Sequence, residues 1–153
     1  MTEFNNIENK QITDTSGNKH WISPSVSVDA LLLVAGFVLI VKRSTNMANA
    51  NKWCLPCGYL DFNETFLDAC IRELHEETGV DVREFNLFNY ETYKRPYALN
   101  GTGIQFIFEL YERPVITVDN HECIDYAWVS TSMLKDYDFA FSHDNLIEYI
   151  LNQ

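Results

Sequence analysis

The chain has 153 residues, 46 % of them hydrophobic and 22 % charged, with a formal net charge of −11. That length and composition suit one globular domain over residues 1–153 with a proper core. Eleven Lys and Arg against 22 Asp and Glu argue against nucleic acid as a partner, because affinity there comes from cationic side chains neutralising phosphates. The uncharged apolar run at residues 30–41 is too short for a membrane span, which needs about twenty residues. The N-terminus is polar and acidic, unlike a signal peptide, so a cytoplasmic location is expected.

Residues 1–19 are polar, with a turn at residues 14–18; Ile7 and Ile12 suit short edge strands, or packing on a second subunit in a homodimer. Trp21 is placed either to stack on a base or to pack in the core. Residues 26–34 and 37–41 read as two buried strands joined at Ala35-Gly36, a hairpin. Lys42 and Arg43 close the second strand, where they could meet phosphates or simply face solvent. A polar loop follows over residues 44–52. Residues 53–56 are extended, since Pro56 restricts the residue before it. Cys54 and Cys57 form C-x-x-C, but no second pair or histidine set at zinc spacing follows, so reduced thiols are expected.

The stretch from Gly58 to Val80, GYLDFNETFLDACIRELHEETGV, carries the densest pattern. Leu67, Cys70, Ile71 and Leu74 recur at helical spacing, which predicts a helix over residues 65–78 with one apolar face. Asn63 or Thr65 caps its start, with Asp68 as capping-box partner, and Gly79 stands just past its end. Glu73, Glu76 and Glu77 then project side by side. Like charges at this spacing cost about 0.2–0.5 kcal/mol per pair, and they gather at the negative end of the helix dipole. Local helix stability therefore does not favour them. They are either a solvated acidic face or a site for a hard divalent cation, which prefers oxygen ligands.

Beyond the helix, residues 82–93 read as one or two strands and residues 100–103 as a turn. Residues 104–111 alternate as a strand, with residues 91–97 as the expected partner. An acidic loop at residues 119–125 holds His121 and Glu122, residues 126–129 form a short strand, and residues 131–137 a helical turn or short helix. Residues 144–151 form a closing helix with Leu146, Ile147, Ile150 and Leu151 on its apolar side. Strands around one helix with a second at the end give an α/β or α+β domain.

The stretch at residues 58–80 fills every specified position of G-x5-E-x7-R-E-U-x-E-E-x-G-U, with U a bulky aliphatic. In this it resembles the Nudix hydrolases, and Trp53-x-Leu55-Pro56 extends the likeness upstream. The resemblance implies an α/β/α sandwich with a mixed central sheet. It also implies that Glu73, Glu76 and Glu77 bind Mg²⁺ or Mn²⁺, that Arg72 orients a glutamate by an ion pair, and that Glu64 supports the metal site. Gly58 would shape the loop, and the backbone carbonyl of Cys57, standing where many relatives have glycine, would serve as a further ligand. The implied reaction is hydrolysis of the pyrophosphate in a nucleoside diphosphate linked to another moiety. Some relatives use a motif glutamate as base and others a later-loop glutamate; Glu122, in an E-x5-W segment ending at Trp128, resembles the latter or is a surface acid of its loop, and His121 beside it is a further candidate.

The resemblance implies a small nucleotide derivative as substrate. Arg95-Pro96-Tyr97 resembles the position where ADP-ribose-type relatives carry proline and dinucleoside-polyphosphate-type relatives carry tyrosine. ADP-ribose or a related ADP-sugar stands first, dinucleoside polyphosphates and NADH second, then dNTPs and NTPs, with a binding-only nucleotide sensor last. Trp21, Arg43, Tyr97 and Phe141 are the substrate-contact candidates.

Overall fold

The computed structural model describes residues 10–22, 25–83, 86–94 and 101–152, with the side chains of residues 10, 11, 21 and 22 outside the description. Pro96 and Tyr97 therefore lie outside the described residues, as does Ile7. Two strands, β1 (Lys10–Thr13) and β2 (Lys19–Ile22), pair antiparallel as a separate hairpin. Its turn is held by Asp14, whose carboxylate accepts the N–H groups of Ser16 and Asn18.

The remaining described strands form one mixed sheet: β3 (Ser25–Val34), β4 (Phe37–Arg43), β5 (Trp53–Cys54), β6 (Cys57–Tyr59), β7 (Leu87–Lys94), β8 (Gly101–Glu109) and β9 (Cys123–Ser130). The expected hairpin of β3 and β4 exists, but the two strands pair only at Leu33↔Val38 and Val34↔Phe37, next to the turn. Beyond it they part. β3 runs parallel to β8 over its length and takes β6 along Ser27 to Asp29, while β4 takes β9 and β5. The gap between the diverging strands is where the motif loop enters.

Strand periodicity explains the layers. In β3 and β4, Ala30, Leu32 and Leu39 point to one face, where Ala69, Cys70 and Leu74 of α1 (Phe66–Thr78) cover them with Phe106 and Phe108. Leu31, Val38 and Ile40 point to the other, against Ile147 and Ile150 of α2 (His143–Leu151) and Leu134 of the 3₁₀ helix Thr131–Asp136. The sheet thus lies between helices, as the resemblance implied. The full burial of Leu74 alone is worth about 1.5–3 kcal/mol.

Two local expectations are corrected. Gly101, Thr102 and Gly103 belong to β8 rather than to a turn, with Lys94↔Thr102 and Tyr93↔Gly103 in register. Gly103 earns its place through its missing side chain, since an added Cβ would fall on the Tyr93 ring that crosses it. The acidic loop also ends sooner than expected, because Cys123 to Asp125 already pair with β4.

Candidate active site

The helix α1 starts as its sequence dictates. Thr65 Oγ1 accepts the Asp68 N–H at 3.1 Å while the Asp68 carboxylate accepts the Thr65 N–H at 3.0 Å, a reciprocal cap worth about 1 kcal/mol. Gly79 ends it in the left-handed region at φ 70°, its N–H returning to the His75 carbonyl at 2.8 Å. With Ala69, Cys70 and Leu74 buried in the core, the helical period turns Arg72, Glu73, Glu76 and Glu77 toward β6 and the loop after it.

Arg72 is the hub of this face. Its Nε and Nη2 hold both oxygens of Glu64 at 3.0 and 2.7 Å, and its Nη1 donates to Glu73 at 2.7 Å and to Glu76 at 3.2 Å. Nη2 also donates to the Tyr59 carbonyl at 3.0 Å, tying the loop to the helix. The hydrogen-bonded Glu64 holds the guanidinium more firmly charged than usual, and Arg72 in turn lowers the Glu64 carboxyl. The role of Glu64 here is to brace Arg72. Glu76 is more than half exposed and reaches Arg72 from the next turn.

Glu73 and Glu77 lie deeper. The Glu73 carboxylate sits over Gly58, where any Cβ would collide with it, so glycine is required by this close approach. Glu77 is 3 % exposed and accepts the Cys57 N–H at 3.1 Å. Burial raises the carboxyl of each above the ordinary range, that of Glu77 strongly. Negative neighbours, Glu122 among them, push both the same way, while Arg72 offsets part of the rise at Glu73. Carboxylates that repel one another around a single guanidinium are an oxygen-donor set short of positive charge. Oxygen donors of this kind suit a hard divalent ion.

Glu122 stands in the loop that leads into β9. Its loop is built on Asp119, whose carboxylate accepts the N–H groups of His121, Glu122 and Cys123 at 2.9–3.2 Å, with Asn120 at φ 60°. The Glu122 carbonyl accepts the Ser44 N–H at 2.8 Å. Glu122 lines a cavity of about 870 Å³ that opens beside Cys57 and Gly58. His121 is exposed.

The same cavity gathers Arg43 and Phe141. Arg43 is 8 % exposed rather than a solvated strand end; its Nε donates to the Ala48 carbonyl at 2.7 Å, and its guanidinium lies 4.8 Å from the centre of the Phe141 ring. Phe141 and Ser142 both take positive φ, which turns the chain into α2 and leaves Phe141 on the cavity wall. Trp21 lies in β2, in the separate hairpin, with its side chain outside the description. Cys54 and Cys57 are free thiols, Cys54 buried and Cys57 half-buried.

Residues that sequence reasoning passed over also line the cavity: Asp29, Tyr93 and His143. The Tyr93 hydroxyl donates to Asp29, and His143 Nε2 lies 3.5 Å from the other Asp29 oxygen. A signal for Asp29 was available, a lone carboxylate inside the apolar run SVSVDALLLV.

Among curated proteins, the chain is similar to the 8-oxo-dGTP diphosphatase of Escherichia coli K12, with 36 % identity over half of this chain and 56 % of that protein. It is also similar to the ADP-ribose pyrophosphatase of Methanocaldococcus jannaschii, 33 % identical over 39 % of this chain and 35 % of that protein. The chain thus spans about half or less of the length of these relatives. Among solved structures, a bifunctional NMN adenylyltransferase/ADP ribose pyrophosphatase from Francisella tularensis, complexed with AMP and a Mn ion, superposes with a TM-score of 0.74. The identity is 25 %, over 84 % of this chain and 41 % of that one. The NUDIX domain of Shewanella oneidensis NrtR complexed with ADP ribose shares the fold with a TM-score of 0.71 at 21 % identity, over 91 % and 92 % of the two chains. The family model for the NUDIX domain matches residues 23–150, most of the chain, and the protein belongs to that family.

Proposed function

We propose that the protein hydrolyses the pyrophosphate bond of a nucleoside diphosphate linked to another moiety, with ADP-ribose or a related ADP-sugar as the preferred substrate. The observation that carries this reading is one cavity lined by Glu122, Arg43 and Phe141 together with Cys57 and Gly58, the residues against which Glu77 and Glu73 lie. Glu73, Glu76, Glu77 and the Cys57 carbonyl would hold Mg²⁺ or Mn²⁺. Bound there, the ion supplies an acidified water and neutralises charge on the leaving oxygen.

The chain's own residues do the rest. Arg72 fixes the Glu73 carboxylate and keeps Glu64 from competing for the ion. Glu122, on its Asp119-braced loop, takes the proton of the attacking water. Arg43 meets phosphate oxygens, and the Phe141 ring offers a face on which an adenine stacks.

Support for ADP-ribose comes from Pro96 in the sequence and from relatives named for ADP-ribose pyrophosphatase activity or solved with ADP ribose. The deciding experiment compares kcat/KM for ADP-ribose, diadenosine polyphosphates, NADH, 8-oxo-dGTP and the dNTPs in Mg²⁺ and in Mn²⁺. ADP-ribose is expected to lead. A tenfold preference for a triphosphate, about 1.4 kcal/mol in transition-state binding, would overturn the substrate assignment and leave the pyrophosphohydrolase reading intact.

A further inference from the structure

His143 opens α2 and is 2 % exposed. Its Nδ1 accepts the backbone N–H of Leu55 at 3.0 Å. A ring nitrogen that accepts carries no proton, so the proton of this imidazole sits on Nε2. Nε2 faces Asp29 Oδ1 at 3.5 Å, and Asp29 Oδ2 takes the Tyr93 hydroxyl. The room for that hydroxyl is made by Gly103, whose missing side chain lets the Tyr93 ring cross the strand.

Asp29, Cys57 and His143 bring ligand-type atoms within 4.8 Å of one another, the spacing of a metal site. The hydrogen bonding speaks against one. Ligation through Nε2 would put the proton on Nδ1, donor to donor against the Leu55 N–H. The cluster works as a support, and what it supports is the segment Leu55-Pro56-Cys57. The Leu55 N–H is held by His143, the Pro56 carbonyl by the Ala30 N–H at 2.9 Å, and the Cys57 N–H by Glu77 at 3.1 Å. Pro56 has no N–H to satisfy. The peptide joining Pro56 to Cys57 is thus fixed at both polar atoms, by β3 and by α1, and the residue before it is fixed by α2. The next carbonyl along is that of Cys57.

We infer that His143 is a positioning residue for the metal site. Through the Leu55 N–H, and backed by Asp29 and Tyr93, it sets the loop that carries Cys57 and Gly58 against Glu73 and Glu77. This rests on the reading that those carboxylates hold the divalent ion. It also ties the start of α2, which carries Phe141 into the cavity, to the loop at the metal.

The test is Mn²⁺ affinity of the full chain without substrate, followed by electron paramagnetic resonance of the free ion. His143→Leu, which offers no acceptor, should weaken Mn²⁺ binding about 10- to 100-fold, the usual cost of losing an outer-shell partner. His143→Asn places an amide oxygen near the position of Nδ1 and should stay within about threefold of the parent, since the bond to Leu55 survives. Tyr93→Phe strips one hydrogen bond from Asp29 and should weaken binding by about two- to tenfold. Ile150→Ala, a core truncation two turns along α2, lowers the melting temperature and should leave Mn²⁺ affinity unchanged.

Unchanged affinity in His143→Leu overturns the inference, as does a loss in Ile150→Ala equal to that in His143→Leu, or a failure of His143→Asn to restore binding. If His143→Leu does not fold, Tyr93→Phe decides alone, and unchanged affinity there overturns it. A parent that takes up no Mn²⁺ overturns the metal reading and this inference together, whereas a parent that binds while the variants do not differ sinks the positioning role only.

Discussion

Replacing Glu77 by Gln separates charge from shape at the deepest carboxylate of α1. Glu77 is 3 % exposed and has the Cys57 N–H on one oxygen at 3.1 Å. Gln keeps the volume and that acceptor and removes the charge. Burial and the charges of Glu73 and Glu122 disfavour the ionised form in the folded protein. Each relieved like-charge pair is worth about 0.2–0.5 kcal/mol if it behaves as helix pairs do. About 1 kcal/mol moves Tm by about 2–4 °C in a chain of this size. The metal-free variant should therefore melt level with the parent or up to about 4 °C above it. In Mg²⁺ the order reverses: the parent gains stability from binding its ion and the variant gains far less. Turnover should fall about 10²–10³-fold, equivalent to about 2.7–4 kcal/mol of transition-state stabilisation. Thermal melts with and without Mg²⁺, paired with AMP release, read both quantities. A variant that keeps near-parental rates, or that melts far below the parent when metal-free, would refute the reasoning.

Glu76→Gln should cut turnover in the same way without loss of apo stability, because the side chain is more than half exposed; near-normal rates in Mg²⁺ would remove it from the site. The metal-free parent should lose stability as pH rises from about 4.5 through the raised folded pKa of Glu77. The folded state binds more protons than the unfolded chain in that window, and Glu77→Gln should flatten the slope in urea melts. Glu122→Gln should lower kcat much more than it weakens substrate binding, and a rate within twofold of the parent would exclude Glu122 as the base. Gly58→Ala drives a Cβ into the Glu73 carboxylate. It should cost about 1–3 kcal/mol in denaturant melts, as overpacking does, together with most of the activity.

The helix α1 was legible in the sequence almost to the residue, because cap, period and terminator agree there: Thr65 with Asp68, the apolar positions from Leu67 to Leu74, then Gly79. β3 and β4 were legible as strands for the same reason, two apolar runs split at Ala35-Gly36. Their partners were not. The parallel pairing of β3 with β8 joins residues more than seventy positions apart, and nothing local to either strand encodes it. Gly101 and Gly103 read as turn residues because glycine is common in turns, whereas Gly103 serves a close approach by a ring from the next strand. At the site, the glutamates of α1 were visible through their spacing. Asp29, Tyr93 and His143 come from three distant elements, and their connection exists only through the sheet. Arg43 looked like an exposed strand end because its neighbours Lys42 and Ser44 are polar; the return of residues 48–52 over it is what buries it.

The central claim is tested most directly by incubating the protein with ADP-ribose in Mg²⁺ and resolving the products over time, with Glu77→Gln and a chelated sample alongside. The account predicts AMP and ribose 5-phosphate in equal amounts from the parent, and little from either control. Turnover that persists in chelator, or no cleavage of ADP-ribose or of any other pyrophosphate-linked nucleotide in Mg²⁺ or Mn²⁺, would contradict it.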